Sequence, residues 1–365
     1  LFMPIESLLY CVNSFPSADQ FINGTNIGTE IDELHGNKIC EKYISKATKR
    51  AISNKEGKAK LNLVPTFKEH IDTDQWSRNA HKVQEGDLVI ITEKLHGTSG
   101  RCGYLPVDTK DRFPKWKLWI DRLIWGSKAF YRSYEFVVGS RRVVKSIGGN
   151  EAENKAHFYE EDLWTKVSKE HFEGKLHKGE TVYFEIVGYT PSGELIMPSV
   201  SNEKLKKFLS KEEYKEFVTR YGETTTFNYG CSYMSPPLYK VFVYRITMTN
   251  EDGDSIDLSW NQVKRRCEKL GVNHVPELQK FLTINGEVFN EDQLVRGDGC
   301  PIGKVVEYFT IQDSKEFPAH IREGVCIRVE NGSPTPLILK EKSFIFKILE
   351  GIIKDSDVVD IEESN

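Results

Sequence analysis

The sequence has 365 residues, of which 39% are hydrophobic, so it can form the core of one large or two ordinary domains. Its formal net charge of −4 argues against a protein that grips nucleic acid through bulk charge, and any such contact requires a local basic groove. The seven cysteines are widely spaced, which excludes a zinc ribbon and favours reduced thiols over a disulfide framework. No apolar stretch is long enough to span a membrane, and we expect a soluble intracellular protein.

The first 62 residues are predicted to form a segment and a linker ahead of the main domain. The chain opens with an apolar run from Leu1 to Tyr10, whereas residues 44–62 are basic and poor in large apolar side chains. A solvated linker and a nucleic-acid-contacting arm are both compatible with the basic stretch. We place the main domain at residues 63–350 and an acidic tail at residues 351–365.

Two later stretches combine aromatic side chains with polar or basic ones. Such a mixture suits a surface that stacks bases and neutralises phosphates, but ordinary coverage of a sheet edge or a half-buried amphipathic element explains it as well. Both interpretations stay open. The aromatic residues are Phe67, His70 and Trp76 in the first stretch and Trp116, Trp119 and Trp125 in the second.

An apolar strand that ends in a lysine is the most informative feature of the sequence. Residues Leu88 to Ile91 are aliphatic and follow a Gly-Asp turn, which predicts a buried strand. Gly97 then allows the backbone to bend and to approach a ligand closely. A lysine at the end of a core strand is held still, as a nucleophile requires, and we predict this role for Lys94.

Two further lysines late in the chain support that prediction. A lysine attacks only in its neutral form, which neighbouring cations favour. Lys340 and Lys342 stand two residues apart in a predicted strand, so they would project from the same face into one site.

The remaining elements follow from hydrophobic spacing and cap residues. Residues 160–177 and 202–220 are predicted to be surface helices, and Ser259 and Gly271 to begin and end a helix over Trp260–Leu270. Residues 299–305 resemble a P-loop but are one residue short and lack its Ser or Thr, so that site is rejected. Strands are predicted at Tyr134–Val138, Thr181–Val187, Tyr239–Met248 and Lys304–Thr310.

Six short motifs follow one another between Lys94 and Lys342. They are Lys94-Leu95-His96-Gly97-Thr98, Gly139-Ser140-Arg141, Val182–Gly188, Val241–Ile246, Arg322-Glu323-Gly324-Val325 and Leu339-Lys340-Glu341-Lys342. In this order they resemble the covalent nucleotidyltransferase superfamily of ATP-dependent ligases and mRNA capping enzymes. The histidine form of the first motif, preceded by Glu93, is most similar to phage-type nick-sealing and Deinococcus-type RNA ligases.

The resemblance implies an α+β fold: a nucleotidyltransferase (ATP-grasp-like ligase) domain of antiparallel sheets flanked by helices. It also implies that the first residues are the remnant of an N-terminal OB-type module. DNA ligases and capping enzymes carry an OB domain after the last lysine motif, and too few residues follow Lys342 for one. This difference favours an RNA ligase.

The implied activity is ATP-dependent joining of 3′-hydroxyl and 5′-phosphate RNA ends, through a lysyl-AMP and an adenylylated 5′-phosphate. The implied role is nick sealing or RNA repair, with ATP and Mg²⁺ or Mn²⁺ as cofactors. The expected partner is RNA, as ends, a nicked duplex or an RNA/DNA hybrid, and the expected form is a cytoplasmic monomer, in the host cytoplasm if the protein is phage-encoded. A GTP-dependent mRNA capping guanylyltransferase and a catalytically idle nucleic-acid-binding module are the alternatives.

The resemblance also assigns residues. Lys340 and Lys342 would contact the α-phosphate, Arg141 would bind a phosphate, and His96 and Arg141 would assist the later steps. Glu185 would accept hydrogen bonds from the ribose, Tyr244 would stack on adenine, and Glu323 would contact the metal or orient the nucleophile. Ser99 replaces the asparagine of phage-type relatives, which puts one substrate contact in doubt. The other implied nucleotide-binding residues are Glu93, Leu95 and Gly97.

Overall fold

The computed structural model describes the backbone of residues 33–34 and 37–38, and then residues 64–70, 73–108, 114, 116–117, 120, 132–151, 159 and 161–351. The chain divides into two compact units, Leu1–Ile52 and Ser53–Asn365. In the first unit, β1 (Glu33–Leu34) pairs antiparallel with β2 (Asn37–Lys38). The predicted OB-type remnant, the basic linker and the acidic tail beyond Gly351 lie outside the described residues.

The second unit is an α+β assembly. Its strands are β3 (Asp74–Gln75), β4 (Leu88–Lys94), β5 (Thr98–Asp108), β6 (Arg132–Ser140), β7 (Val144–Ile147), β8 (Asn150–Glu151), β9 (Glu180–Gly188), β10 (Val200–Ser201), β11 (Thr224–Thr225), β12 (Tyr239–Thr249), β13 (Ser255–Asp257), β14 (Asn273–His274), β15 (Glu277–Ile284), β16 (Glu287–Phe289), β17 (Cys300–Pro301), β18 (Gly324–Glu330) and β19 (Leu337–Lys342). Its helices are α1 (Trp76–Asn79), α2 (Leu163–Phe172), α3 (Lys211–Tyr221), α4 (Trp260–Leu270), α5 (Glu291–Arg296), α6 (Ile302–Thr310) and α7 (Phe344–Leu349), with 3₁₀ turns at Ala80–Lys82 and Asn202–Lys207.

Two mostly antiparallel sheets form the centre of this unit. The first sheet has the order β13-β12-β9-β5-β6-β7-β8, with β14 parallel to β12. The second has the order β17-β16-β15-β4-β18-β19-β3, in which only the last pair is parallel among the described strands. The antiparallel α+β architecture predicted from the resemblance is therefore present. None of the helices in the described ranges is long and apolar enough to cross a membrane.

The strand that ends at Lys94 is buried on both faces. Val89 and Ile91 of β4 pack with Ile327 and Val329 of β18 in one core cluster, whereas Ile90 points to the other and larger cluster. A strand buried on both faces needs a continuous apolar run, which explains the sequence that predicted it. Burial in the middle of the sheet holds the end of β4 in place.

Helix caps set the bounds of α4 as the sequence predicted. Ser259 and Gln262 form a reciprocal capping box, and Gly271 ends the helix in the left-handed region at φ +69°. The predicted helix over residues 160–177 is α2. Of the helix predicted over 202–220, the first part is a 3₁₀ turn and the second is α3.

The strand predicted at Lys304–Thr310 is wrong, because these residues belong to α6. Its valines and aromatic residues favour a strand by composition. However, Val305, Val306 and Thr310 are buried while Tyr308 is exposed, which is helical spacing. The buried face packs into the core behind β4 and β18. This packing outweighs the local preference of these residues for a strand.

Gly97 is a position at which the fold leaves no room for a side chain. A Cβ there would overlap the carbonyl oxygen of Ile186 on β9. We expect Gly97→Ala to lower the free energy of unfolding by about 1–3 kcal/mol, because backbone cannot yield without breaking the pairing of β5 with β9. Urea denaturation followed by circular dichroism measures this. Gly303→Ala in α6 is the control, since its Cβ meets no atom within 4 Å; equal destabilisation by both variants would contradict the expectation.

Candidate active site

A cavity of about 550 Å³ lies between the two sheets. The second sheet contributes Lys94 and Lys340 to its lining, and the first contributes Ser99, Glu185 and Tyr244. Arg141, which follows β6, also lines it. Residues predicted from distant motifs are thus brought to one cavity.

The lysines share one face of the second sheet because of its register. Gly324 of β18 lies opposite Lys94 on one side and Lys342 on the other. In the next row, Cys326 lies opposite Thr92 and Lys340. Directly opposite residues point to the same face. The prediction that Lys340 and Lys342 project together is consistent with this register, and Lys94 joins them.

Gly324 keeps this row of lysines close. A Cβ at this position would overlap the carbonyl oxygen of Glu341, so any side chain would force β18 and β19 apart. Glu323, the preceding residue, is held by its carbonyl oxygen, which accepts a hydrogen bond from the Ser343 backbone at 2.8 Å. Its carboxylate lies between the ammonium groups of Lys94 and Lys342.

The Glu323 carboxylate is wholly buried and has three basic neighbours. Its Oε1 atom lies 2.6 Å from Lys94 Nζ and 3.4 Å from Lys342 Nζ. Its Oε2 atom lies 3.5 Å from Nδ1 of His96. A buried carboxylate is tolerated only when cations compensate its charge, and these groups do so. Glu323 is therefore the carboxylate nearest to the Lys94 ammonium in this cluster.

Lys340 and Lys342 occupy different places around the cavity. Lys340 lines it, whereas the Lys342 ammonium is directed to Glu323 and lies 5.3 Å above the ring of Phe346. Of the two, Lys340 is the one placed to meet a ligand directly. Lys342 is placed to compete with Lys94 for the same carboxylate.

His96 is buried beneath the cavity in an aromatic box. Its ring meets Phe227 at 5.0 Å and Phe346 at 4.9 Å, both edge to face. Its Nε2 atom lies 3.6 Å from Oε1 of Glu350. The imidazole therefore sits between two carboxylates, those of Glu323 and Glu350.

The first sheet presents a carboxylate and two hydroxyl groups to the cavity. Ser99 of β5 lies opposite Glu185 of β9, and its hydroxyl is 2.7 Å from that of Tyr244. Tyr244 is an extra residue in the pairing of β12 with β9, a bulge that redirects its side chain. Burial, and then the nearby Glu185, raises the pKa of Tyr244, so its hydroxyl stays protonated at neutral pH.

Glu93 and Leu95 flank Lys94, and both residues line the cavity although they are almost wholly buried. One carboxylate oxygen of Glu93 accepts hydrogen bonds from the backbone of Lys315 at 2.8 Å and Glu316 at 3.3 Å. Burial raises the pKa of Glu93. Leu95 packs in the larger core cluster. The side chains of both residues therefore also stabilise the end of β4.

The aromatic residues of the two mixed stretches divide between core and cavity. His70 lines the cavity, and its Nδ1 atom is 3.3 Å from the Tyr244 hydroxyl. Phe67 is buried beneath the Arg101 guanidinium, and Trp76 belongs to the core behind β4. Trp116 is 66% exposed, which suits a surface role. Trp119 and Trp125 lie outside the described residues.

Lys145 is a cavity residue that the sequence reasoning missed. It lies on β7, is 6% exposed, and its ammonium is 5.0 Å from the ring centre of Trp164, another lining residue. Burial lowers its pKa. A lysine within the apolar run Val143-Val144-Lys145-Ser146-Ile147 was the available signal, because a charge in such a run is costly unless it has a role.

Two carboxylates bear on the magnesium that the resemblance implies. Among the described residues, no cluster of three or more His, Cys, Asp or Glu side chains could hold an ion alone. Glu185 lines the cavity, and Glu323 lies against Lys94. Of the two, Glu185 fits Mg²⁺ that arrives with phosphate oxygens, whereas Glu323 has no exposed surface and faces the lysines.

The Glu323 carboxylate should be needed for stability as well as for chemistry. Glu323→Gln keeps the shape but leaves the buried ammonium groups uncompensated, and we expect a loss of about 3–5 kcal/mol in the free energy of unfolding. Glu350→Gln is the control, because its side chain is 18% exposed and meets only His96 of this cluster. We expect the control to lose less than about 1 kcal/mol. Equal urea midpoints for Glu323→Gln and the parent would contradict this arrangement.

Solved structures of RNA ligases resemble the chain at low identity. Naegleria gruberi RNA ligase with PPi is 14% identical, with a TM-score of 0.43, over 95% of this chain and 71% of that chain. A lysine-to-alanine mutant of the same ligase, with ATP and Mn, is 13% identical, with a TM-score of 0.42, over 82% of this chain and 61% of that chain. An archaeal ATP-dependent RNA ligase is 11% identical, with a TM-score of 0.36, over 77% of this chain and 49% of that chain.

These TM-scores are too low to transfer details of a site, and this chain spans only 49–71% of the length of those ligases. No curated protein matches the sequence. The family model described as RNA ligase matches residues 87–349, which include Lys94, Glu185, Glu323 and the late lysines. The chain therefore belongs to the RNA ligase family.

Proposed function

We propose that the protein is an ATP-dependent RNA ligase that joins 3′-hydroxyl and 5′-phosphate ends. The observation that carries this proposal is the position of Lys94, at the wall of the cavity and 2.6 Å from a buried carboxylate. Lys340 and Arg141 line the same cavity, and cations of this kind bind phosphate oxygens.

In the first step, Lys94 Nζ attacks the α-phosphorus of ATP. A P–N bond forms, the bond to the leaving pyrophosphate breaks, and lysyl-AMP results. Glu323 Oε1 is within hydrogen-bond reach of Lys94 and receives its proton. Lys342 and His96 also contact this carboxylate, so it stabilises the charged form of Lys94 less than it would without them. Lys340 offsets the charge that develops on the phosphate.

Glu185 and Tyr244 would hold the nucleoside. Glu185 presents its carboxylate to the cavity and suits the ribose hydroxyls, while the bulged Tyr244 suits the adenine ring. The Ser99 hydroxyl fixes Tyr244 at 2.7 Å. Magnesium bound with ATP would supply a Lewis acid, with Glu185 or Glu323 as carboxylate partner.

In the later steps, AMP passes from Lys94 to the 5′-phosphate of an RNA strand, and a 3′-hydroxyl then attacks that phosphate and releases AMP. Arg141 and Lys145 line the cavity and would bind the RNA phosphate, whereas Arg328, another lining cation, is hydrogen-bonded to Glu330. We propose that the substrate is RNA ends or a nicked duplex, including RNA/DNA hybrids. The proposed role is nick sealing or repair, carried out in the cytoplasm by a monomer.

Intact-mass spectrometry after incubation with magnesium and either ATP or GTP tests the first step. Pyrophosphatase is added to remove the leaving group. We expect the parent to gain the mass of one AMP with ATP, because Lys94 is preorganised for attack, and Lys94→Ala to gain none. Lys166→Ala, which removes a half-exposed lysine on α2, is the control and should gain AMP like the parent.

Each alternative has its own outcome in this experiment. Mass gain with GTP alone would replace the ligase with a capping guanylyltransferase. No gain with either nucleotide would overturn the proposed chemistry and favour a binding module. With AMP gain established, sealing of a nicked RNA duplex that carries a labelled 5′-phosphate measures the complete reaction.

A further inference from the structure

A buried tyrosine contacts the backbone directly after the nucleophile. The Tyr229 hydroxyl accepts a hydrogen bond from the His96 backbone N–H at 2.7 Å, across 133 residues of sequence. Its side chain has no exposed surface. His96 is two residues beyond Lys94, so this contact fixes the turn that orients the lysine.

The backbone at Tyr229 adopts a conformation that bulky residues rarely take. Its φ is +51°, and that of Gly230 is +77°. Both are central residues of a turn closed by the hydrogen bond from Cys231 N–H to the Asn228 carbonyl at 2.9 Å. Glycine, asparagine or aspartate normally fills such positions. A tyrosine held there indicates that its side chain is needed where the turn aims it.

Other contacts hold Tyr229 from the opposite side. Its ring meets the His320 ring edge-on at 4.7 Å. Lys240 donates to the Tyr229 carbonyl at 2.9 Å and pairs with Glu316 at 2.7 Å. The Glu316 backbone in turn donates to Glu93, the residue before Lys94. Both flanks of the nucleophile are thereby joined through one hydrogen-bonded circuit, which runs Glu93, Glu316, Lys240, Tyr229 and His96.

We infer that Tyr229 is a positioning residue for Lys94, and that this circuit holds the nucleophile in its attacking geometry. The inference rests on the proposed adenylylation of Lys94. A displacement of the turn by a fraction of an ångström would slow only the steps in which Lys94 forms or breaks its bond to phosphorus. It would not affect sealing of an RNA strand that already carries AMP.

Tyr229→Phe tests this inference, because the ring remains and only the acceptor of the His96 N–H is lost. We expect single-turnover formation of lysyl-AMP to slow by about 10- to 100-fold at saturating ATP. The ATP concentration that gives half the maximal rate should stay unchanged, and so should sealing of pre-adenylylated RNA. Tyr239→Phe is the matched control, since it removes a hydroxyl bonded to Glu170, and it should react like the parent.

A second variant covers the case in which Tyr229→Phe folds poorly. Lys240→Met removes the ammonium that holds the Tyr229 carbonyl and should slow the same step, by less. A parental rate of lysyl-AMP formation in folded Tyr229→Phe would overturn the inference. Equal slowing of lysyl-AMP formation and of pre-adenylylated sealing would also overturn it and would show a general structural role. If the parent itself gains no AMP, the proposed function fails instead.

Discussion

One buried carboxylate constrains the rest of the site. Glu323 has no exposed surface and faces the ammonium groups of Lys94 and Lys342 together with the imidazole of His96. Moving such charges out of water is costly, and the cost is recovered only if the partners stay in register. The close approach of β4, β18 and β19 at Gly324 enforces that register. The stability of the second sheet and the chemistry of its lysines therefore depend on the same contacts.

Each of the two sheets contributes different side chains to the lining of the cavity. The second sheet contributes Lys94 and Lys340, and the first contributes Lys145, Glu185 and the bulged Tyr244. The connection between the sheets is the turn from Lys94 to Thr98, where Gly97 passes against the Ile186 backbone. Since Lys94 and Ser99 lie at the two ends of one short turn, small shifts of that turn change their relative position.

Local sequence patterns correctly predicted the elements whose signals lie within a few consecutive residues. The strand ending at Lys94 and the capped helix α4 are of this kind, because an uninterrupted apolar run and a capping box are complete within the sequence. The helix α6 was mistaken for a strand, since Val305, Val306 and Tyr308 favour a strand until the core behind β4 selects one helical face. Packing against the core therefore determines the secondary structure of α6.

The order of the motifs predicted several residues that line the cavity, but not how they meet. The sharing of Glu323 between Lys94 and Lys342 depends on strand register, which no single motif contains. Lys145 and Tyr229 lie outside the motifs. The contact of Tyr229 with His96 spans 133 residues, so local reasoning had no means to find it.

Mapping the modified residue tests the central claim most directly. The parent protein is adenylylated with ATP and magnesium, digested under mildly alkaline conditions and sequenced by tandem mass spectrometry. We expect AMP on Lys94 and on no other lysine, because Lys94 lines the cavity and its ammonium lies 2.6 Å from the Glu323 carboxylate. AMP on Lys145, Lys340 or Lys342 would contradict the assignment of the nucleophile.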